Sequence, residues 1–275
     1  MNMNRYAVFG NPIAHSQSPL IHQLFAEQTH ISLTYEAILV PLTLNELSKT
    51  LDQFQKENGK GANITLPFKQ EAYFLVNTLS DRAICAKAIN TIRFNLNGSR
   101  YGDNTDGIGL VRDLTLHQKQ NLHNKTILIL GAGGAVSGIL AALIAEKPAK
   151  ILIANRTATK AKILANRFID LMPIEYCALE NLKKPSFDLI INAMSVGLSG
   201  TMPVLPNGLI HAKTFCYDLV YDLSSLTPFL VWAKNQGAHS YCDGLGMLVE
   251  QAAEAFYLWH HIRPNTTKIL KIIKT

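Results

Sequence analysis

The sequence predicts an α/β protein with two successive regions, the second of them built on a parallel sheet. Strand and helix signals alternate over roughly the first hundred residues, as expected for helices packed on a sheet. From Lys125 onward, short apolar runs follow one another with turn or helix signals between them, a pattern typical of strands buried on both faces. The 275 residues are 48% hydrophobic and 17% charged, which suffices for one large domain or two of ordinary size.

The first region contains three predicted strands, RYAVFG, LTYEAILV and GANITLP. Pro67 ends the third, because proline has no N–H to donate to a neighbouring strand. Two shorter extended pieces follow, NTIRFN and SRYGDN. The Asn97–Gly98 dipeptide between them predicts a hairpin turn.

Three helices are predicted in the same region. SPLIHQLFAEQ has Ser18 as its N-cap and Pro19 in its first turn. Its expected apolar face consists of Leu20, Ile21, Leu24 and Phe25. The next helix is predicted to start at Thr43, with Glu46 completing a capping box. Helical spacing resumes with Ile108, Leu110, Val111 and Leu114.

Residues 126–145 form an uncharged segment, TILILGAGGAVSGILAALIA, about as long as a membrane span. GAGG interrupts it, and it has neither a basic flank nor an aromatic belt, so a buried strand running into a buried helix is favoured. Further strands are predicted at KILIANR, FDLIINA and TFCYDLV. A helix capped by Thr227 and stopped at Gly237 follows, and a long helix covers roughly residues 245–261.

The glycine turn after the strand ILIL predicts a dinucleotide site. Its glycines are Gly131, Gly133, Gly134 and Gly138. The pattern is close to G-x-G-x-x-G, although Val136 occupies the third glycine position. Gly131 would allow the tight turn, and Gly133 would let backbone amides approach a pyrophosphate at a helix N-terminus. The alternative is a glycine-rich turn that only packs two elements closely.

The end of the next strand predicts NADP(H) rather than NAD. An NAD site places an acidic residue there for the ribose hydroxyls, whereas this chain has Asn155, Arg156 and Thr157, with Lys160 one turn later. A guanidinium can bind a 2′-phosphate with two hydrogen bonds. The alternative is that Thr157 only caps a helix and Arg156 is an ordinary surface residue.

The net charge of +6 is compatible with nucleic acid, but the basic residues are scattered apart from the tail KILKIIKT. An anionic small molecule explains the charge equally well. The four cysteines, at 85, 177, 216 and 242, form no CxxC pair and suit reduced thiols in the cytoplasm. MNMNRYAVFG lacks the apolar core of a signal peptide. We expect a cytoplasmic protein, a monomer or homodimer, with no metal, membrane or nucleic-acid partner.

Seven segments together resemble the shikimate dehydrogenase family, and they occur in the order AVFGNPIAHSQSPLIH, GANITLPFK, AINT, GDNTDGIGL, GAGGA, NRT and DGLGMLVEQAA. The resemblance implies an N-terminal α/β substrate domain, 1–107, completed by the C-terminal helix 243–275. It implies a Rossmann-like, doubly wound NADP-binding domain at 108–242. The implied activity is reversible NADPH-dependent reduction of 3-dehydroshikimate to shikimate, in aromatic amino-acid biosynthesis.

The resemblance also implies roles for individual residues. Lys69 would be the catalytic acid/base, and Asp106 would pair with it and touch a substrate hydroxyl. The implied substrate-binding residues are Ser16, Ser18, Thr65, Lys69, Asn90, Asp106, Tyr221 and Gln251. The implied cofactor-binding residues are Asp81, Gly131, Ala132, Gly133, Gly134, Ala135, Asn155, Arg156, Thr157, Ala158, Thr159, Lys160, Leu219 and Gly244.

Each implied role has a structural alternative. Lys69 could be a solvated lysine at a strand end, Ser18 only a helix cap and Ser16 a loop residue. Asp106 could cap a helix, and Asn90 could bond backbone groups in a turn. The remaining alternatives are a packing role for Tyr221 and a satisfied buried amide for Gln251.

Four residues depart from the pattern of the family, namely Lys87, Ser137, Lys160 and Met194. Lys87 stands where glycine is usual, Ser137 and Lys160 where arginine is common, and Met194 where threonine is usual. Three other functions remain open: a quinate/shikimate dehydrogenase of relaxed substrate or cofactor choice, a non-catalytic NADP-binding sensor and a nucleic-acid binder.

Overall fold

The computed structural model describes residues 4–183, 186–194 and 203–274. The chain divides into two compact units. The first comprises residues 1–109 and 248–275, and the second comprises residues 110–247. Each unit is built around its own six-stranded sheet.

The first unit contains strands β1 (Asn4–Gly10), β2 (Leu33–Leu39), β3 (Gly59–Ile64), β4 (Thr78–Leu79), β5 (Thr91–Phe94) and β6 (Arg100–Asp103). Its helices are α1 (Ser18–Thr29), α2 (Glu46–Lys56), α3 (Lys69–Ala72), α4 (Asp81–Ala86), most of α5 (Asp106–Arg112) and α9 (Leu245–His260), and α10 (Thr266–Ile273). The sheet order is β2-β1-β3-β5-β6-β4. β5 pairs antiparallel with β3 and with β6, so the sheet is mixed and includes the predicted hairpin.

The second unit contains strands β7 (Thr126–Leu130), β8 (Lys150–Asn155), β9 (Glu175–Ala178), β10 (Leu189–Asn192), β11 (Phe215–Asp218) and β12 (Ser240–Cys242). Its helices include α6 (Gly134–Ala145), α7 (Ala158–Arg167) and α8 (Pro228–Asn235). All pairings are parallel, in the order β12-β11-β10-β7-β8-β9. This is the strand order of a doubly wound dinucleotide-binding fold. The edge strands β9 and β12 were not predicted from the sequence.

The uncharged segment 126–145 is divided between β7 and α6, as predicted. Both elements lie in the core of the second unit, and this burial explains their lack of charge. In the described ranges, no helix is long and apolar enough to cross a membrane.

Two helix starts differ from the prediction. The residue at the N-cap of α1 is Gln17, so Ser18 is the first helical residue and not the cap. α2 begins at Glu46 after Asn45, which adopts a left-handed conformation, and no side chain caps it. The expected capping box from Thr43 is therefore absent, because the chain makes a turn at residues 43–46 before the helix begins.

The buried face of α1 is rotated relative to the predicted apolar face. Leu20 is 44% exposed, whereas His22 is completely buried with Ile21 and Phe25. The ring of His22 stacks on Tyr35 and lies among aromatic side chains of α1 and α9. The sequence pattern missed this face because histidine counts as polar.

His22 makes the folded state sensitive to acid. In the described part of the chain, neither of its ring nitrogens has a partner within hydrogen-bond distance. Burial lowers the pKa of His22 to about 3 from its usual 6.5, repulsion from His260 acts in the same direction, and the side chain of Asn63 opposes the shift only in part. Burial also lowers the pKa of His260 to about 4. Below pH 6.5 the unfolded chain therefore binds more protons than the folded chain, and stability decreases as the pH falls.

We expect the free energy of unfolding to fall by up to about 1.4 kcal/mol per pH unit for His22 below about pH 6.5. Denaturant unfolding at about pH 7 and about pH 5 measures this loss. His22→Phe should flatten the dependence, since phenylalanine keeps an aromatic ring and cannot be protonated. His123→Gln, at an exposed position, should leave it unchanged. An equal pH dependence in His22→Phe and wild type would contradict the assignment.

Candidate active site

Lys69 and Asp106 form a sheltered ion pair in the first unit. β3 ends at Ile64, so the strand predicted to reach Pro67 is shorter than expected, and a turn follows in which Phe68 N donates to Thr65 O. Lys69 then begins α3. Its Nζ donates to Asp106 Oδ2 at 2.6 Å, and the two side chains are only 18% and 5% exposed. Lys69 is therefore a directed, largely buried cation rather than a solvated strand-end lysine.

The loop between β6 and α5 leaves the Asp106 carboxylate available to Lys69. Asn104 Oδ1 accepts a hydrogen bond from Asp106 N at 3.1 Å, and Asn104 Nδ2 donates to Ala88 O at 3.0 Å. Asn104 thus performs the capping that the alternative interpretation gave to Asp106. Both Asp106 oxygens are used elsewhere, Oδ2 by Lys69 and Oδ1 by Asn90.

Asn90 and Gln251 extend this pair into a polar cluster. Asn90 Nδ2 donates to Asp106 Oδ1 at 2.7 Å and to Gln251 Oε1 at 3.1 Å, while Thr105 N donates to Asn90 Oδ1 at 2.8 Å. Gln251, on α9, also donates to Leu248 O. It is a satisfied amide whose oxygen accepts hydrogen bonds from Asn90 and Thr105. We call Lys69, Asn90, Thr105, Asp106 and Gln251 the Lys69 cluster. Thr105 was not predicted as a site residue from the sequence, although it lies inside the NTD motif.

The other substrate residues implied by the resemblance occupy different parts of the structure. Ser18 N donates to Ser16 Oγ at 3.3 Å, and Ser18 is buried at the start of α1. Thr65 follows β3, and its N donates to Phe9 O at 2.9 Å. A Cβ at Gly10 would overlap the Thr65 methyl group, so glycine is required for this approach. Tyr221 follows β11 in the second unit and is half-buried.

An ion network not predicted from the sequence supports the loop that carries Asp106. Arg82 donates through two nitrogens to Asp103, the last residue of β6, and also to Glu254 on α9. Burial pushes the pKa of Asp103 upward, but the hydrogen bonds and charge of Arg82 outweigh it, so this pKa lies below its usual value. Asp103 is thus ionised and fixed immediately before Asn104.

The glycine turn has the form that the sequence predicts. Gly131 has a φ of +112°, and a Cβ there would lie 3.0 Å from Ala193 O. Gly133 is the exposed N-cap residue of α6, and a Cβ added to it would meet nothing within 4 Å. Packing therefore does not explain Gly133, whereas an open helix N-terminus suits an anionic group. Ala132, Gly134 and Ala135 are partly exposed beside it.

The end of β8 presents basic and polar side chains to solvent. Arg156, Thr157, Thr159 and Lys160 are exposed, and Ala158 begins α7. Asn155 Nδ2 donates to Thr157 O at 2.9 Å, which holds the turn. Thr157 occupies the N-cap position, but its side chain makes no capping hydrogen bond. No acidic residue lies between residues 155 and 160, so the site fits a 2′-phosphate better than an unmodified ribose.

Three further residues assigned to the cofactor, Leu219, Gly244 and Asp81, lie at or next to the ends of other strands and helices. Leu219 N donates to Asn192 O, and Gly244 N donates to Val220 O. A Cβ at Gly244 would overlap Leu219 O, so this glycine allows close backbone packing. Asp81 is exposed in the first turn of α4, in the first unit. Within the described residues, no group of three or more histidine, cysteine or acidic side chains could hold a metal ion.

The structure shows the local environment of three residues that depart from the family pattern, Lys87, Ser137 and Met194. Lys87 adopts a left-handed conformation with φ +48°, which explains why glycine suits this position. Ser137 is buried and accepts a hydrogen bond from Arg167 at 2.7 Å. Met194 packs against the core of the second unit, and its N donates to Asn192 Oδ1.

These features define a two-unit α/β protein, in which the first unit carries a largely buried Lys–Asp pair and the second unit has a Rossmann-type dinucleotide-binding fold. Three family models match the chain: "Shikimate dehydrogenase substrate binding domain" over residues 8–92, "Shikimate / quinate 5-dehydrogenase" over residues 113–210, and "Shikimate 5'-dehydrogenase C-terminal domain" over residues 244–274. The chain belongs to the shikimate dehydrogenase family.

Individual relatives agree with this membership. A shikimate dehydrogenase (NADP(+)) from Dechloromonas aromatica is 51% identical over 96% of this chain and 95% of its own length. An Ael1 enzyme from Pseudomonas putida has a similar structure, with a TM-score of 0.91, 41% identity and coverage of 99% and 98% of the two chains. Shikimate 5-dehydrogenase from Thermus thermophilus, in complex with NADP(H) and shikimate, has a TM-score of 0.87, 32% identity and 99% coverage of both chains.

Proposed function

We propose that this chain catalyses the reversible NADPH-dependent reduction of 3-dehydroshikimate to shikimate, a step of aromatic amino-acid biosynthesis. The observation that carries the proposal is the largely buried ion pair between Lys69 Nζ and Asp106 Oδ2 at 2.6 Å. The chain's membership of the shikimate dehydrogenase family and the Rossmann-type fold of the second unit support the same reaction. We assign substrate binding to residues 1–107 with 243–275, and NADP(H) binding to residues 108–242.

Lys69 performs the acid–base part of the reaction. NADP(H), when bound, supplies or accepts the hydride at the C3 carbon of the substrate. Negative charge develops on the C3 oxygen during reduction, and the Lys69 ammonium stabilises this charge and donates a proton to the oxygen. Lysine suits the role because its ammonium can release a proton, which the guanidinium of arginine does not do in proteins.

Asp106 orients the ammonium and accepts a hydrogen bond from a substrate hydroxyl. Its own orientation is fixed by Asn90, whose amide is fixed in turn by Thr105 and Gln251. Because these groups are buried and already hydrogen-bonded, the site needs little reorganisation when the substrate binds. Ser16 and Ser18 bind the substrate carboxylate. The remaining contacts to hydroxyls and ring come from Thr65, Asn90, Tyr221 and Gln251.

The cofactor contacts divide between the pyrophosphate and the 2′-phosphate. Residues 131–135 bind the pyrophosphate through backbone amides at the N-terminus of α6. Residues 155–160 bind the adenosine end, with Arg156 on the 2′-phosphate. Lys160 adds a point charge, which is less directional than a second guanidinium. Leu219, Gly244 and Asp81 complete the assigned cofactor residues.

Arg156→Ala should raise the KM for NADPH roughly 10–100-fold, because it removes charge-assisted hydrogen bonds to a phosphate. The KM for NADH should change little, since NADH has no 2′-phosphate. Steady-state kinetics with both cofactors measure the difference. Lys162→Ala, which replaces an exposed basic residue of α7 close to Arg156 in the chain, is the matched control and should leave both values unchanged. Equal losses for NADPH and NADH would refute the assignment of Arg156.

The proposed reaction is tested by following NADPH absorbance with shikimate or quinate as substrate, and NADP+ or NAD+ as cofactor. We expect shikimate with NADP+ to give the highest kcat/KM. Comparable rates with quinate would favour a quinate/shikimate dehydrogenase, a function compatible with one matching family model. NADP+ binding without turnover of either substrate would favour a sensor and overturn the proposal.

We also infer a cytoplasmic location and a state of monomer or homodimer. The four cysteines are free thiols, which supports a reducing compartment. The small-molecule substrate and NADP(H) are the proposed partners.

A further inference from the structure

Tyr35 is a polar residue of the first unit that the proposed reaction does not yet use. It lies on β2, directly opposite Tyr6 on the neighbouring strand β1. Its ring stacks face to face on His22, with centroids 4.2 Å apart and planes 6° from parallel. Trp259 of α9 lies 6.5 Å from the same ring. These aromatic contacts fix the plane of the Tyr35 ring and therefore the position of its hydroxyl.

The Tyr35 hydroxyl is bonded to a buried asparagine next to the Lys69 cluster. It donates to Asn63 Oδ1 at 2.7 Å, and Asn63 Nδ2 donates to Asn90 O and Thr91 Oγ1, both at 3.0 Å. Asn63 is 6% exposed, and its side-chain oxygen and nitrogen are both paired inside the protein. A chain of hydrogen bonds thus leads from Tyr35 through Asn63 to Asn90, the residue that donates to Asp106.

The same hydroxyl lies near the side chain of Ser18, which we have assigned to the substrate carboxylate. Burial raises the pKa of Tyr35 well above its ordinary value, and the nearby side chain of Ser18 opposes this rise only in part. The hydroxyl therefore keeps its proton for Asn63, while its oxygen remains available to Ser18. Tyr35 lies between a group assigned to the carboxylate end of the substrate and the group that orients Asp106.

We propose that Tyr35 is a positioning residue for the reaction, and that its hydroxyl holds Ser18 and the Asn63–Asn90 pair in the arrangement that shikimate requires. This inference rests on the proposed function and adds a residue to the same site. Tyr35 acts through Ser18 and Asn63 and does not itself donate a proton to the substrate. Its loss would leave Asn63 Oδ1 buried without a donor, so the amide would turn and carry Asn90 away from Asp106.

The test is Tyr35→Phe, which removes the hydroxyl and keeps the ring stacked on His22. We expect kcat/KM for shikimate to fall roughly tenfold, through a higher KM for shikimate and a lower kcat. The KM for NADP+ should remain unchanged, because the hydroxyl touches no group assigned to the cofactor. A residue with only a structural role would lower the melting temperature and leave the shikimate KM unchanged.

Tyr6→Phe is the matched control. Tyr6 pairs with Tyr35 across the two strands and stacks on Trp259 at 4.5 Å, but its hydroxyl makes no side-chain hydrogen bond among the described residues. Equal kinetics for Tyr6→Phe and Tyr35→Phe would overturn the inference. Because the comparison is made relative to wild type, an inactive wild-type protein refutes the proposed function, whereas an active wild type with an unaffected Tyr35→Phe refutes only the role of Tyr35.

A double-mutant cycle with Ser18→Ala tests the inference independently. If the hydroxyl acts through Ser18, the effects of Tyr35→Phe and Ser18→Ala on shikimate binding should not add. Calorimetric titration of shikimate measures binding for wild type, both single variants and the double variant, and needs no turnover. Fully additive losses would contradict a link between the two hydroxyls.

Discussion

Replacing Lys69 with alanine should lower kcat roughly 10²–10⁴-fold, the usual contribution of a positioned acid or base. The variant lacks both the cation that stabilises the developing oxyanion and the proton that neutralises it. The KM for shikimate should change little, because Ser16, Ser18 and Asn90 remain to bind the carboxylate and hydroxyls. Steady-state oxidation of shikimate with NADP+ measures both constants.

Two further variants separate charge from proton transfer. Lys69→Arg keeps a cation but places it in a group that does not release a proton, so we expect a low kcat here as well. Lys60→Ala removes a lysine of β3 that lies outside the Lys69 cluster and should behave as wild type. A Lys69→Ala variant with a near-normal kcat would remove Lys69 from the mechanism.

Asp106→Asn should lower kcat about 10²-fold, with a smaller effect on the shikimate KM. The substitution preserves shape, but the amide cannot bind the Lys69 ammonium at one oxygen and Asn90 at the other as the carboxylate does. Small displacements of a catalytic group cost this much when the geometry of attack is lost. The melting temperature should also fall, since a largely buried ammonium loses its counter-charge.

Asp52→Asn is the matched control for Asp106→Asn. Asp52 also accepts a 2.6 Å bond from a basic residue of the first unit, Arg100, but it lies outside the Lys69 cluster. It is 52% exposed, and pairs of this kind contribute little to stability. We expect normal kinetics and a nearly unchanged melting temperature. If kcat in Asp106→Asn matched that of Asp52→Asn, the carboxylate would have no role in orienting Lys69.

Local signals in the sequence predicted much of the fold. The Asn97–Gly98 hairpin, the strand–glycine–helix unit at residues 126–145 and the helix capped by Thr227 all agree with the structure. Each depends on residues close in the chain, whose backbone preferences determine the local geometry. The parallel sheet of the second unit followed from its uninterrupted apolar runs, because strands buried on both faces do not alternate.

Contacts between distant residues could not be predicted in the same way. The bond from Tyr35 to Asn63 and the network of Arg82, Asp103 and Glu254 join residues far apart in sequence. His22 was missed because its burial depends on aromatic rings supplied by other elements. The N-caps predicted at Ser18 and Thr43 were wrong, since side-chain capping preference was outweighed by the turn that precedes each helix.

The candidate site could be predicted from the sequence only in part. Its motifs identify Lys69 and Asp106 through the resemblance, but the residues are far apart in the chain and only the fold brings them to 2.6 Å. Asn104 takes the capping role that the sequence pattern offered to Asp106. Because Asn104 bonds the backbone N–H at the start of α5, the Asp106 carboxylate is available to bind the Lys69 ammonium.

The central claim is that Lys69 Nζ donates a proton to the C3 oxygen of the substrate during reduction. A crystal structure of this chain with shikimate bound measures the distance between these two atoms directly. We expect a hydrogen bond of about 2.6–3.2 Å, with Asp106 still in contact with the ammonium. Shikimate bound with its C3 hydroxyl beyond hydrogen-bond reach of Lys69, and held there by other side chains, would contradict the account.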